Sequence, residues 1–266
     1  MNTETEAMNA SRQFCPNLEC KARGQAGQGN IVIHSRKRPR YRCKECDKTF
    51  SARAGTTLAG LRKPTEPIVI VVTLLAYGCP IQAIVKASGL DERTVASWRD
   101  RAGEHCERVH QAMVVKSQLD LQHVQADEVR AKGRGMVVWM AMALMVSTRL
   151  WLGGVVSARR ERLRGLHTGM YLIGCTYNFC WHHDQLRERI SDQPGQRRWR
   201  QRTPAMAAGL TDHVWSMHEL LRYKVAPALW ISPKRRGRPR KAVLGPLPPQ
   251  RPPGRPRKMA LASTTG

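Results

Sequence analysis

Four cysteines near the N-terminus have the residue type and spacing of a metal site. Cys15 and Cys20 form one close pair, and Cys43 and Cys46 form a second after 22 intervening residues. Two such pairs supply four thiolates, enough to close a tetrahedral Zn²⁺ site. Between them, residues 30–34, 41–43 and 49–50 have strand character. Short strands clamped by two cysteine knuckles predict a zinc ribbon whose core is too small to fold without its metal. Arg36, Lys37, Arg38, Arg40 and Arg42 decorate the hairpin and would contact phosphates.

A second candidate is a carboxylate. Residues 123–129 alternate apolar and polar and lead to Asp127 and Glu128. A basic turn is expected at residues 130–135, followed by apolar runs at 136–146 and 150–157 separated by Ser147, Thr148 and Arg149. This reads as a three-strand meander with an acid at the end of its first strand, the opening of a ribonuclease-H-like core. Such cores hold two Mg²⁺ ions on converging carboxylates for phosphoryl transfer. One carboxylate cannot do that alone.

The elements that position these residues follow from composition and periodicity. The 266 residues carry 45 Lys plus Arg against 20 Asp plus Glu, a formal charge of +25. That balance excludes an acidic tail and disfavours a neutral small-molecule enzyme; it points to a polyanion, DNA or RNA, as the expected partner. The excess sits at the two ends. Residues 1–66 carry +7 and residues 231–266 carry +10, whereas residues 67–110 are neutral.

The neutral block predicts three helices. An apolar helix is expected over 67–77, a short one from Pro80 to Ser88, and a third that starts after the N-cap Asp91 and runs to about His110, with Gly89 and Leu90 as the turn. Helix, Gly-containing turn, helix is the pattern that sets a recognition helix in the major groove. Arg93, Thr94, Ser97 and Arg101 would face DNA, with Glu92 beside them, while Val95, Ala96 and Trp98 pack.

The last 36 residues are rich in Pro, Gly, Arg and Lys and predict a disordered basic tail. Around Arg236, Arg238 and Arg240 the Arg-Gly-Arg-Pro core looks like an AT-hook for the A/T-rich minor groove, and Arg255 belongs to a weaker repeat. Eight cysteines without an apolar leader or a membrane-length apolar run predict a reducing, cytoplasmic setting, on the nucleoid of a bacterium, with no membrane partner. Cys79, Cys106, Cys175 and Cys180 read as core or surface thiols, and His182, His183 and Asp184 as a polar helix end.

The order zinc ribbon, helix-turn-helix, then Gln-Ala-Asp127-Glu128-Val before three strands resembles bacterial insertion-sequence DDE transposases of the "IS one" type. Residues 169–181, which contain Tyr177-Asn-Phe-Cys180, and residues 202–213, which contain Thr203-Pro-Ala-Met-Ala-Ala-Gly209, are similar to the C-terminal part of that family. The resemblance spans residues 13 to about 240. It implies double-stranded DNA, the element's terminal repeats, as partner and Asp127 as the first acid of the DDE triad. It implies Mg²⁺ as cofactor if the chain is active.

In the family a long stretch with the second Asp and the Glu precedes the Tyr-Asn-Phe-Cys helix. Here only residues 157–167 intervene, with Glu161 as their one acid. Neither Glu161 nor Asp184, Glu188, Asp192, Asp212 and Glu219 downstream match those motifs. The reading is an internal deletion that leaves a DNA-binding but catalytically defective protein. An active Mg²⁺-dependent transposase and a zinc-ribbon transcriptional regulator are the alternatives, and a homo-oligomer is compatible with each. The expected fold is multi-domain α+β: zinc ribbon 1–62, helix-turn-helix 63–116, truncated ribonuclease-H-like core 117–230, and tail 231–266. A meander stripped of its covering strands should expose an open edge.

Overall fold

The long helix α3 (Glu92–His110) is the axis around which the rest is built. Val95, Trp98, Ala102, Cys106 and Val109 recur at helical spacing and are all buried, so one stripe of α3 is core throughout. Its start is fixed by Asp91, whose side chain accepts the Arg93 backbone N–H at 2.8 Å. Before it come α1 (Thr65–Ala76) and α2 (Ile81–Ser88). Gly89 ends α2 at φ +66°, the left-handed cap that glycine takes without cost. The first helix begins at Thr65 rather than Pro67, because Pro67 fits within a first turn whose N–H groups have no helical partner.

The computed structural model describes residues 9–133, 136–156, 164–190 and 198–232. Met1–Trp230 form one unit and Ile231–Gly266 another. The first unit is mixed α+β with three small antiparallel sheets. Near the N-terminus, β1 (Ile31–Ser35), β2 (Arg40–Cys43) and β3 (Thr49–Ser51) pair in sequence order. After α3 and one wider turn at Gln111–Val115 come β4 (Val124–Gly133), β5 (Met136–Met145) and β6 (Trp151–Val156). The helix α4 (Arg164–Cys175) runs on through a wide turn at Thr176–Cys180. It is followed by the two-stranded ribbon β7 (His183–Arg189) and β8 (Trp199–Arg202), then α5 (Pro204–Ala207) and α6 (Met217–Arg222).

Two separate cores hold this unit. The larger joins α1, α2, α3, α4 and α6 to the inner residues of β5 and β6. The smaller belongs to the N-terminal sheet: Cys15, Cys20, Ala22, Ile31, Tyr41, Cys43 and Phe50. Backbone bonds join the two regions, Thr57 N–H to the Leu221 carbonyl and Val225 N–H to the Gly55 carbonyl, both 3.1 Å.

Polar groups inside the larger core are placed by the tertiary structure. Asn178 is fully buried, and its amide pairs with both the N–H and the carbonyl of Trp151, each at 2.8 Å. It thereby satisfies backbone groups of β6 at the point where the β5–β6 register shifts. His105 and His110 are buried on α3, and each Nε2 donates to a carbonyl, of Leu220 at 3.2 Å and Leu152 at 3.0 Å. Each Nδ1 is buried without a partner. Burial, reinforced by Arg108, holds the His105 imidazole down at about 4, and burial lowers His110 as well.

In an unfolded chain a histidine titrates near 6.5, so the unfolded state takes up the proton first. Stability should be complete above about pH 6.5 and fall as the pH drops toward 4, by roughly 3 kcal/mol for His105. Urea melts at pH 7 and pH 4.5 check this. The pH-dependent loss should shrink in His105→Gln.

Candidate metal centre and nucleic-acid interface

Each cysteine pair sits in a turn that sequence-local hydrogen bonds define. In the first, Cys20 N–H donates to the Asn17 carbonyl at 3.2 Å and Gly24 N–H to the Cys15 carbonyl at 3.1 Å. In the second, Cys43 N–H donates to the Lys48 carbonyl at 3.1 Å, and Asp47 takes a left-handed φ of +55° to close the turn. These two turns bring the four sulfurs within 4.8 Å of one another. Cys15 and Cys46 are 3.6 Å apart, Cys20 and Cys43 3.8 Å. Tetrahedral thiolates around Zn²⁺, at about 2.3 Å each, stand about 3.75 Å apart. The cluster therefore fits a four-coordinate metal that prefers sulfur.

Three of the four cysteines are buried and Cys46 is half-buried. Burial pushes the Cys15 and Cys20 thiols up. Burial acts on Cys46 in the same sense, but the Lys48 backbone N–H, Asn17 and the neighbouring thiols outweigh it and bring Cys46 down to about 7. Packing four thiols together without disulfide geometry leaves each without a strong partner, and a cation would supply that partner.

Arg36, Lys37, Arg38, Arg40 and Arg42 are all exposed on this sheet. Arg36, Lys37 and Arg38 occupy the turn that joins β1 to β2. Arg40 reaches across to Thr49 Oγ1 at 2.7 Å, and Arg42 pairs with Asp47 at 3.5 Å. The turn therefore presents three cations and the strands hold the other two.

On α3, Arg93 and Ser97 are exposed and Thr94 is half-buried. Arg101 differs from the sequence expectation: it is half-buried and donates to the Ala59 carbonyl. A recess of about 380 Å³ runs along this face, lined by Arg93, Ser97, Asp100, Arg101, Glu104 and Arg164. Glu104 is paired with Arg164 and Asp100 with Arg99, so the face is of mixed charge.

Asp127 stands in the middle of β4, because that strand runs through the expected basic turn as far as Gly133. The strand-end position read from the sequence is thereby corrected. Ten continuous pairs with β5 extend the ladder past Arg130, whose guanidinium lies 5.9 Å from the Trp139 ring across it. Asp127 is exposed and accepts its neighbour Glu128's backbone N–H at 2.8 Å. Among the described residues, the one cluster of three or more Cys, His, Asp or Glu side chains able to hold a metal is the cysteine set. The thiols of Cys106 and Cys175 are buried, and Cys175 donates to the Cys106 carbonyl at 3.1 Å. His183 and Asp184 begin a strand rather than end a helix. The tail residues Arg236, Arg238, Arg240 and Arg255 lie outside the described residues.

Sequence reasoning passed over β7 and β8. They carry Arg187, Arg189, Arg200 and Arg202 against Asp184 and Glu188, with Arg198 just before β8. The Arg187 guanidinium stacks 4.6 Å over Trp199, while Glu188 pairs with Arg200. The clustering of arginines around Trp199 was the available signal.

No protein-family model, curated protein or solved structure matches the chain. Among the described residues, no helix is long and apolar enough to cross a membrane.

Proposed function

We propose that the chain is a DNA-binding protein descended from an insertion-sequence DDE transposase, with a catalytically defective core. In this reading the four cysteines hold structural Zn²⁺ in a zinc ribbon, α2 and α3 form a helix-turn-helix, and β4–β6 are the remainder of a ribonuclease-H-like meander. One observation carries the DNA-binding part: a metal-fitting cysteine cluster lies in a small sheet whose exposed hairpin turn presents Arg36, Lys37 and Arg38. In this reading phosphate attraction comes from this turn and from the tail, and base reading falls to the exposed Arg93 and Ser97 on α3. The defective part rests on the sequence: Asp127 has the position of a first catalytic acid, and the second Asp and the Glu have no counterpart.

The test is duplex binding measured against salt. Replacing Arg36, Lys37 and Arg38 by Ala should lower the slope of log K against log[salt] by up to about 2.7. Truncation after Trp230 removes ten positive charges and should lower it further without changing sequence preference. Binding that is independent of salt would sink the reading. Mg²⁺-dependent strand transfer on the element's terminal repeats, abolished by Asp127→Ala, would show an active transposase instead. Specific binding to an upstream operator without flanking inverted repeats would show a regulator.

A further inference from the structure

Among the described residues the strand β4 has one partner, β5. In its sheet the order is β4-β5-β6, so among the described residues the outer edge of β4 pairs with nothing. Every residue from Val124 to Arg130 is exposed, Val124 and Val129 at 46 % each. The helix α4 covers only the β6 side of the sheet, where a Cβ on Gly154 would meet Met170. On the face that carries Glu128 and Arg130, Val137, Trp139 and Val155 are exposed as well. On this edge the Glu128 N–H is held by the Asp127 side chain at 2.8 Å and would exchange that bond for a strand partner, and a ten-residue edge of this kind is a template for another strand.

We propose that the occupant of this edge is β4 of a second copy, paired antiparallel about a two-fold axis at Val129, to give one continuous six-stranded sheet. The charges on the strand select this register. In a two-fold antiparallel pair, residues on one face must meet residues on the same face, so the axis passes through one residue and its copy. An axis at Asp127, Glu128 or Arg130 sets that charge directly against itself. An axis at Ala131 sets Arg130 against Lys132. An axis at Val124, Gln125 or Ala126 leaves half or more of the strand unpaired. At Val129 alone, Glu128 of each copy faces Arg130 of the other, twice, with Val129 against Val129 between them and Gln125 opposite Gly133. Arg130 is already laid across its own sheet toward Trp139, on the face where Glu128 of the second copy arrives. Directly opposed opposite charges favour an antiparallel pair and like charges disfavour it. This proposal does not depend on DNA binding.

Sedimentation equilibrium of the nuclease-treated full chain tests it. The wild type should be a dimer at tens of micromolar. Arg130→Glu and Glu128→Arg, each of which turns two attractive pairs into two repulsive ones, should weaken the dimer on the order of tenfold or more. Combining E128R with R130E should restore it, because the swapped charges face each other again. Near-UV circular dichroism of the tryptophans checks that each variant is folded. A monomeric wild type would overturn the proposal, as would a dimer indifferent to both single changes, or two weakened singles that the double change does not rescue. If the full chain is monomeric and truncation after Trp230 makes it dimerise, the chain's own tail is the occupant and the proposal fails.

Discussion

Removal of metal from the four-cysteine site should unfold the N-terminal sheet while the helical core stays folded. The smaller core consists of a few side chains around the two cysteine turns, among them Cys15, Cys20 and Cys43 themselves. Its buried apolar content beyond the thiols is Ala22, Ile31, Tyr41 and Phe50, with Ile33 and small alanines packed against it, far too little to offset the ordering entropy of the segment. Structural Zn²⁺ in such small modules contributes on the order of 10–16 kcal/mol at neutral pH, which is the folding free energy of the module. Cys43→Ala should therefore bind no zinc by elemental analysis. It should also lose amide-exchange protection over β1–β3 without loss over α3 and α4, whose core contains no residue of the smaller one. Protection of β1–β3 that survives metal chelation would show that the sheet does not need the ion. The segment that crosses from the helical core, with Lys224 Nζ donating to Gln13 at 2.8 Å, should loosen with it.

The second large effect lies where α3 crosses α4. A Cβ on Gly103 would run into the Thr168 carbonyl oxygen and stand 2.5 Å from the Thr168 Cβ, so the two helix backbones touch there. In an exposed helix, Gly→Ala stabilises by up to about 1 kcal/mol. At Gly103 the sign should reverse. Gly103→Ala is expected to cost roughly 1–3 kcal/mol, and Gly103→Leu more, because neither helix can give way without opening the core on its far side. For a unit of this size that corresponds to a melting-temperature fall of about 2–4 °C per kcal/mol. Gly169 on α4 is the control, since a Cβ there meets nothing within 4 Å. Gly169→Ala should be neutral or slightly stabilising. Equal effects at the two glycines would contradict the close crossing.

The two cores also separate what spacing could reveal from what it could not. Cys15, Cys20, Cys43 and Cys46 are legible because each pair is local: the turn that aims two sulfurs needs only the residues between them. The three helices before residue 110 are legible for a similar reason, since their stripes, caps and Gly89 act within a few positions. Their exact starts were less so, as Thr65 in place of Pro67 shows.

Asp127 shows where local reading stops. The basic residues Arg130, Lys132 and Arg134 look like a turn, and an isolated strand would have ended there. Pairing with the long apolar strand β5 carries the backbone on to Gly133, because each added ladder pair satisfies backbone groups that a turn would leave to water. Arg101 is a second case. Its helical position puts it on the face expected from the sequence to meet DNA, and only the fold reveals the Ala59 carbonyl that takes its guanidinium.

By itself, then, the sequence determined which four cysteines cluster, the helices of the neutral block and the location of the excess charge. Each of these depends on interactions between residues a few positions apart. The tertiary structure alone decided that Asn178 completes the backbone of β6, that His105 and His110 are buried against carbonyls with their titration lowered, and that Gly103 lets α3 and α4 touch. It also decided that, among the described residues, β4 ends the sheet with its outer edge unpaired. Those outcomes join segments far apart in the chain, and which polar group is buried or which strand is last depends on packing that no local spacing encodes.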